Sequence, residues 1–234
     1  MKSAADNAAS RITVELIKGI LNATRREMEA LITRTAMSPF IREKKDFFTA
    51  ILNPAGELVV STSLTLAGNL VDAILQQYPA DTMQDGDLFW YNDPYATGGA
   101  VSHLPDMVFV MPVFAENRLV AFIECWGHLW DIGGAVPGSI SPTASSVFQE
   151  GVMIPPVRVL HGGVRNEEVV RIFTRNSRFP DMLEGDLNSL MAACNLGCKR
   201  LEECATLHGV DALEDAFEAI ISQTETALQQ QISA

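Results

Sequence analysis

The sequence predicts an α+β fold: central antiparallel strands and hairpins with helices at both ends. Three observations predict it. Residues 12–36, and the chain from 166 onward, carry apolar residues at three- and four-residue steps, the period of a helix. The middle of the chain breaks instead into short β-rich runs separated by Gly, Pro and Asn turns. Two of these runs, 107–114 and 119–126, are joined by Ala115-Glu116-Asn117-Arg118, a hairpin connection.

The elements follow in order. Val14, Ile17, Leu21, Met28, Leu31 and Ile32 give the helix over 12–36, and Ser38-Pro39 stops it. Phe47–Leu52 and Leu58–Ser61 pair around the turn residues Asn53-Pro54-Ala55-Gly56. Ala67–Gln77 reads as a second amphipathic helix. Asp85-Gly86-Asp87 turns into the strand Leu88–Tyr91, and Asn92–Ser102 is a glycine-bearing loop. The strands 107–114 and 119–126 are almost continuously apolar, which predicts burial on both faces. Leu129–Gln149 is rich in Gly, Pro and Ser and has no period; a loop that long is functional or disordered. Arg158–Leu160 is a short strand before the turn His161-Gly162-Gly163. Helices follow over 166–175, 180–206 and 210–230. The reading divides the chain into a domain over 1–206 and a C-terminal helix over 207–234. Leu213, Phe217, Ile220, Ile221, Ala227 and Ile232 form an apolar stripe there that predicts docking onto a partner.

Composition excludes several classes. The chain has 234 residues, 47% of them apolar, enough to fold without a disulfide or a metal and too many for a disordered chain. No window approaches the 18 uncharged apolar residues of a membrane-spanning helix. With 17 basic and 29 acidic residues the net charge is −12, which repels a phosphate backbone and argues against nucleic-acid binding. The N-terminus lacks an apolar h-region, so no signal peptide is expected. Cys125, Cys194, Cys198 and Cys204 are too few for a disulfide framework. They read as reduced thiols of a cytoplasmic protein.

The chemistry concentrates on one hairpin. Ser102-His103-Leu104-Pro105-Asp106 enters its first strand, and Gly127-His128-Leu129-Trp130-Asp131 leaves its second. An antiparallel hairpin brings those two ends together. Two imidazoles and two carboxylates then converge as a mixed N/O set for a divalent metal, with Asp93 on the loop just upstream. The plain alternative is loop histidines held by local carboxylates. Gly98-Gly99 and Gly133-Gly134 flank the two units. Paired glycines allow close backbone approach to a ligand, or simply form turns. Glu43 and Asp46, beside Arg42, Lys44 and Lys45, read as site support or as a solvated charge cluster. Glu150 follows the long loop and is placed at the same site. The sequence has no G-x-x-x-x-G-K-[ST] phosphate loop.

The residues Asn92-Asp93-Pro94-Tyr95, Gly98-Gly99, His103-Leu104-Pro105-Asp106 and His128-x-x-Asp131-Ile132-Gly133-Gly134 resemble the hydantoinase B/oxoprolinase family. So do Pro137-Gly138-Ser139, Gln149-Glu150-Gly151 and Ile154-Pro155-Pro156. Arg34-Thr35-Ala36, Glu43-Lys44-Lys45-Asp46-Phe47, Gly185-Asp186-Leu187 and Gly197-Cys198-Lys199-Arg200-Leu201 extend the resemblance over about 12–205. Family B-type chains are longer, so it covers their N-terminal half. A split subunit or a truncation is therefore expected.

The resemblance implies a subunit of an ATP-dependent enzyme. A ketone carboxylase of the acetone/acetophenone type is the expected function. A cyclic-amide hydrolase (hydantoinase, oxoprolinase or lactamase type) and a non-catalytic assembly subunit are the alternatives. The resemblance implies a divalent metal held by His103, Asp106, His128 and Asp93, with manganese ahead of zinc or iron(II). Catalytic roles fall to Asp131, Glu43 and Asp46, and substrate binding to Gly133, Gly134 and Glu150. It also implies an A-type, ATPase-like subunit that binds ATP and Mg²⁺, and a second B-type half or subunit. The substrate is a small molecule, joined by bicarbonate in the carboxylase case.

Overall fold

The computed structural model describes residues 4–62 and 70–233. A seven-stranded antiparallel sheet lies at its centre. The strands are β1 (Phe47–Leu52), β2 (Leu58–Ser61), β3 (Leu88–Tyr91), β4 (Asp106–Ala115), β5 (Arg118–His128), β6 (Val157–His161) and β7 (Val164–Arg165). Their order is β2-β1-β5-β4-β3-β6-β7. The predicted strands are therefore present, and each long hairpin strand extends by one or two residues at either end. Glu116 and Asn117 both take positive φ, 52° and 62°. Two consecutive left-handed residues make the tight turn whose twist matches a β-hairpin.

The helices are α1 (Ala4–Thr35), α2 (Pro39–Arg42), α3 (Asp72–Gln77), α4 (Glu167–Arg175), α5 (Pro180–His208) and α6 (Val210–Ile232). The predicted helix over Ala67–Gln77 is shorter, and its residues 67–69 lie outside the described residues. Side chains alternate across the sheet. Phe109, Met111, Ile123 and Cys125 face α1, α5 and α6 in one large core. Phe48, Val108, Val110 and Phe122 face a second, smaller core with Val71 and Ile74 at α3. Burial of both faces explains the continuous hydrophobicity of β4 and β5. The aromatic run Phe89-Trp90-Tyr91 is wholly buried. The cysteines are free and buried.

The first half of the C-terminal helix packs into the body of the fold. Val210, Leu213, Ala216, Phe217 and Ile220 are buried in the same core as Leu201 and α1. Only the last turns, with Leu228 and Ile232, present apolar side chains outward. Among the described residues, no helix is long and apolar enough to cross a membrane.

Candidate metal centre

The β4–β5 register places Asp106 directly opposite His128. Asp106 Oδ1 lies 3.0 Å from His128 Nδ1. Its other oxygen, Oδ2, lies 3.1 Å from His103 Nδ1. The two imidazole rings meet edge to face with centroids 5.1 Å apart. Together His103, Asp106 and His128 offer ligand atoms that all lie within 4.8 Å of one another. His103 Nδ1 is buried, yet its approach to Asp106 lacks hydrogen-bond geometry and, among the described residues, it has no hydrogen-bond partner. A buried ring nitrogen without a partner is costly unless something else takes its lone pair. That orphan and the two-nitrogen, one-carboxylate set fit a divalent transition metal.

The elements around the cluster hold it rigidly. Phe40, on α2, stacks on the His128 ring at 5.0 Å, and the His128 N–H donates to the Asp46 carbonyl at 3.0 Å. Ser139 Oγ lies 2.6 Å from His128 Nε2. Glu150 Oε2 accepts the Leu104 N–H at 2.9 Å and so pins the loop that carries His103. Asn92, wholly buried, donates to the Leu104 and Val152 carbonyls and accepts from the Ile154 N–H. Gly127 leaves room for the Ile41 and Leu190 side chains, 3.1 Å from where its Cβ would stand. α2 and α5 therefore close over β5 just before His128.

Several expected site residues are placed differently. Asp93 is outside the cluster: its Oδ1 accepts the N–H groups of Tyr95 and Ala96 within its own loop. Asp131 is wholly engaged as a loop tie. Its Oδ2 accepts from the Arg178 guanidinium at 2.8 Å and from the Gly138 N–H at 3.3 Å. Its Oδ1 accepts the Gly133 and Arg178 N–H groups. Burial pushes its pKa up, but the Arg178 N–H and guanidinium and the Gly133 and Gly138 N–H groups outweigh this. Together they hold it below the ordinary aspartate value. A carboxylate so saturated is a poor proton acceptor. Glu43 is exposed and pairs with Arg42 at 3.5 Å. Asp46 reaches His128 only through its backbone.

Gly133 and Gly134 serve chain packing instead of ligand approach. A Cβ on Gly133 would stand 2.6 Å from the Asn176 carbonyl, and one on Gly134 2.7 Å from the Glu150 carbonyl. Gly98 and Gly99 have open space and positive φ. They line a groove of about 670 Å³ with Tyr95, Ser102, Ser146 and Glu150; Ser102 immediately precedes His103 in the chain.

Sequence reasoning missed Phe40, Ser139 and Arg178 as parts of the site. Only Ser139 carried a signal, its place in Pro137-Gly138-Ser139. Phe40 and Arg178 act through contacts far away along the chain.

Fold and site together place the chain with known proteins. The sequence pattern of the hydantoinase B/oxoprolinase family matches residues 10–234, and the chain belongs to that family. The match runs through α6, beyond the last recognisable motif near 205. Caprolactamase subunit beta of Pseudomonas jessenii is 32% identical over 209 residues, 88% of this chain and 36% of that subunit. The crystal structure of the ATP-dependent caprolactamase from the same organism superposes with a TM-score of 0.81. It is 31% identical and covers 90% of this chain and 36% of that one. Acetophenone carboxylase delta subunit of Aromatoleum aromaticum is 28% identical over 192 residues, 80% of this chain and 28% of that subunit. The chain thus spans little more than a third of the length of the caprolactamase subunit.

Proposed function

We propose that this chain supplies the metal-bearing part of the active site of an ATP-dependent enzyme that opens a cyclic amide. The observation that carries the metal assignment is the His103–Asp106–His128 cluster with its orphaned His103 nitrogen. A divalent ion held there would act as a Lewis acid toward a carbonyl oxygen. Three protein donors leave room for a substrate oxygen, the pattern of catalytic metal sites.

The chain's own residues prepare that site. Asp106 Oδ1 holds His128 Nδ1 and sets that ring's orientation, while Oδ2 stands 3.1 Å from the His103 nitrogen. The Phe40 stack and the Asp46 carbonyl keep His128 in one position. Ser139 shares a proton with His128 Nε2. The groove lined by Gly98, Gly99, Ser102 and Glu150 receives the substrate beside His103. Glu150, which lines the groove and holds the Leu104 N–H through Oε2, is the acceptor for a substrate N–H in this reading. The A-type, ATPase-like partner that carries ATP and Mg²⁺, and the remaining B-type segment, complete the enzyme in this reading.

The caprolactamase likeness, at 31–32% identity, favours the cyclic-amide branch. Ketone carboxylation with bicarbonate is the second reading, supported by the 28% identity to an acetophenone carboxylase subunit. Reconstitution with an A-type partner and the remaining B-type segment separates the two. ATP hydrolysis stimulated by a lactam and lost in His103→Ala supports the amide reading. Stimulation by a ketone plus bicarbonate alone replaces it with the carboxylase reading.

A further inference from the structure

A groove of about 850 Å³ runs between the second half of α1, the start of β1 and α5. None of the histidine-cluster residues lines it. Its walls carry Arg26, Arg34, Lys45 and Arg200 against Glu27 and Glu29. Both acids are already engaged. Glu27 pairs with Arg200 at 2.8 Å. Glu29 pairs with Arg25 and accepts from the Thr62 hydroxyl at 2.8 Å. Among the described residues, Arg26, Arg34 and Lys45 have no carboxylate at ion-pair distance. Three uncompensated cations thus face one groove in a chain of net charge −12. The molecule's overall field repels anions, so any anion retained here is held by local contacts.

Lys45 adds a separate observation. It takes a left-handed conformation, φ 55°, just after α2, where the Asp46 N–H reaches back to the Phe40 carbonyl at 3.0 Å. Glycine is the ordinary residue at such a helix end, because a Cβ crowds the backbone there. Among the described residues, the only other non-glycine residues with positive φ are Glu116 and Asn117, in the hairpin turn that demands it. A lysine kept at a strained position, with its side chain lining the groove, points to a use for that side chain.

We propose that this groove is a binding site for a small polyanion of the diphosphate class, gripped by Arg26, Arg34 and Lys45. Arg26 and Arg34 stand eight residues apart on α1, about 12 Å along the axis, so an extended polyanion suits them better than a single compact charge. Guanidinium forks match phosphate oxygens two at a time. Leu31, Phe47 and Leu196 give the groove an apolar floor. Its volume is that of a small-molecule site.

The test is calorimetric titration of the full chain with inorganic pyrophosphate, and in parallel with a nucleoside diphosphate, at about 0.15 M salt. Saturable one-site binding with Kd below about 1 mM is expected. The Arg26→Gln/Arg34→Gln/Lys45→Gln triple variant should weaken it at least about tenfold, while His103→Ala leaves it unchanged. Lys45→Gly relieves the backbone, so it should melt no lower than the parent and yet bind more weakly. Equal affinity for both probes assigns the site to free polyanions. Tighter nucleotide binding assigns the apolar floor to a base. Absence of saturable binding, or unchanged binding in the triple variant, overturns the proposal. So does a glutamate-rich peptide that binds the same three residues more tightly than pyrophosphate. Because His103→Ala spares this groove, its failure and failure of the metal assignment are read separately.

Discussion

Asp106 and His128 face each other across the β4–β5 ladder, and their side chains meet at 3.0 Å. The pair is a consequence of register: a one-residue slip would send one of them to the other face of the sheet. His103 joins them because it lies three residues before Asp106, at the mouth of the same strand.

Metal content tests this arrangement first. About one divalent ion per chain is expected in the assembled protein. His103→Ala, His128→Ala and Asp106→Ala should each lower its affinity by a factor of ten or more, as removal of a ligand or its orienting partner does. Elemental analysis after dialysis measures it. Unchanged metal in both histidine variants would remove the assignment.

Arg178→Ala should loosen the segment 131–139 without touching the cluster directly. It removes the 2.8 Å contact to Asp131 and the contact to the Gly134 carbonyl. A loss of roughly 1–3 kcal/mol is expected, because Asp131 keeps its backbone N–H donors. Faster amide exchange at Gly133–Ser139, together with weaker metal binding through displaced Ser139, is the signature. Exchange as slow as in the parent would show that Arg178 does not hold the loop.

Glu124 predicts a pH dependence. It is buried on β5 with Oε1 unpartnered, and burial pushes its pKa up to about 8 from an ordinary 4.5. The folded state therefore binds this proton more tightly than the unfolded state does. Its contribution is fully present below about pH 4.5, falls as the pH rises toward 8, and is lost above that. Glu124→Gln should flatten this decline in denaturant titrations at pH 5 and pH 8, and should be the more stable form at pH 8. A parallel pH profile for both proteins would contradict it.

Asp186 predicts a long-range structural effect. Buried on α5, it accepts the Met37 and Ser38 N–H groups at 2.7 and 3.0 Å and so fixes the entry to α2. Asp186→Ala leaves both donors without an acceptor and should cost about 2–4 kcal/mol. Asp186→Asn keeps an acceptor and should cost less. Near-UV circular dichroism should also report a changed Phe40–Trp130 environment, since Phe40 of α2 packs 5.1 Å from the Trp130 ring in the loop after β5. Equal stability of the alanine and asparagine variants would rule out the anchoring role.

The sequence by itself determined the elements and the core of the site. Strand Leu88–Tyr91, the hairpin turn at Glu116-Asn117 and the three C-terminal helices were legible because period and turn chemistry are local. The meeting of His103, Asp106 and His128 was legible for the same reason: one short hairpin fixes which residues share its open end. Only the tertiary structure decided the rest. Asp131 looked like a reactive carboxylate until Arg178, 47 residues away, was seen to occupy it. Gly133 and Gly134 looked like a ligand's approach until Asn176 and Glu150 proved to be the neighbours they admit. The stripe of α6 reads as a partner-docking face, and only the structure shows that α1 covers its first half. Each of these depends on which distant segments pack together, and pairing across tens of residues leaves no period in the chain to read.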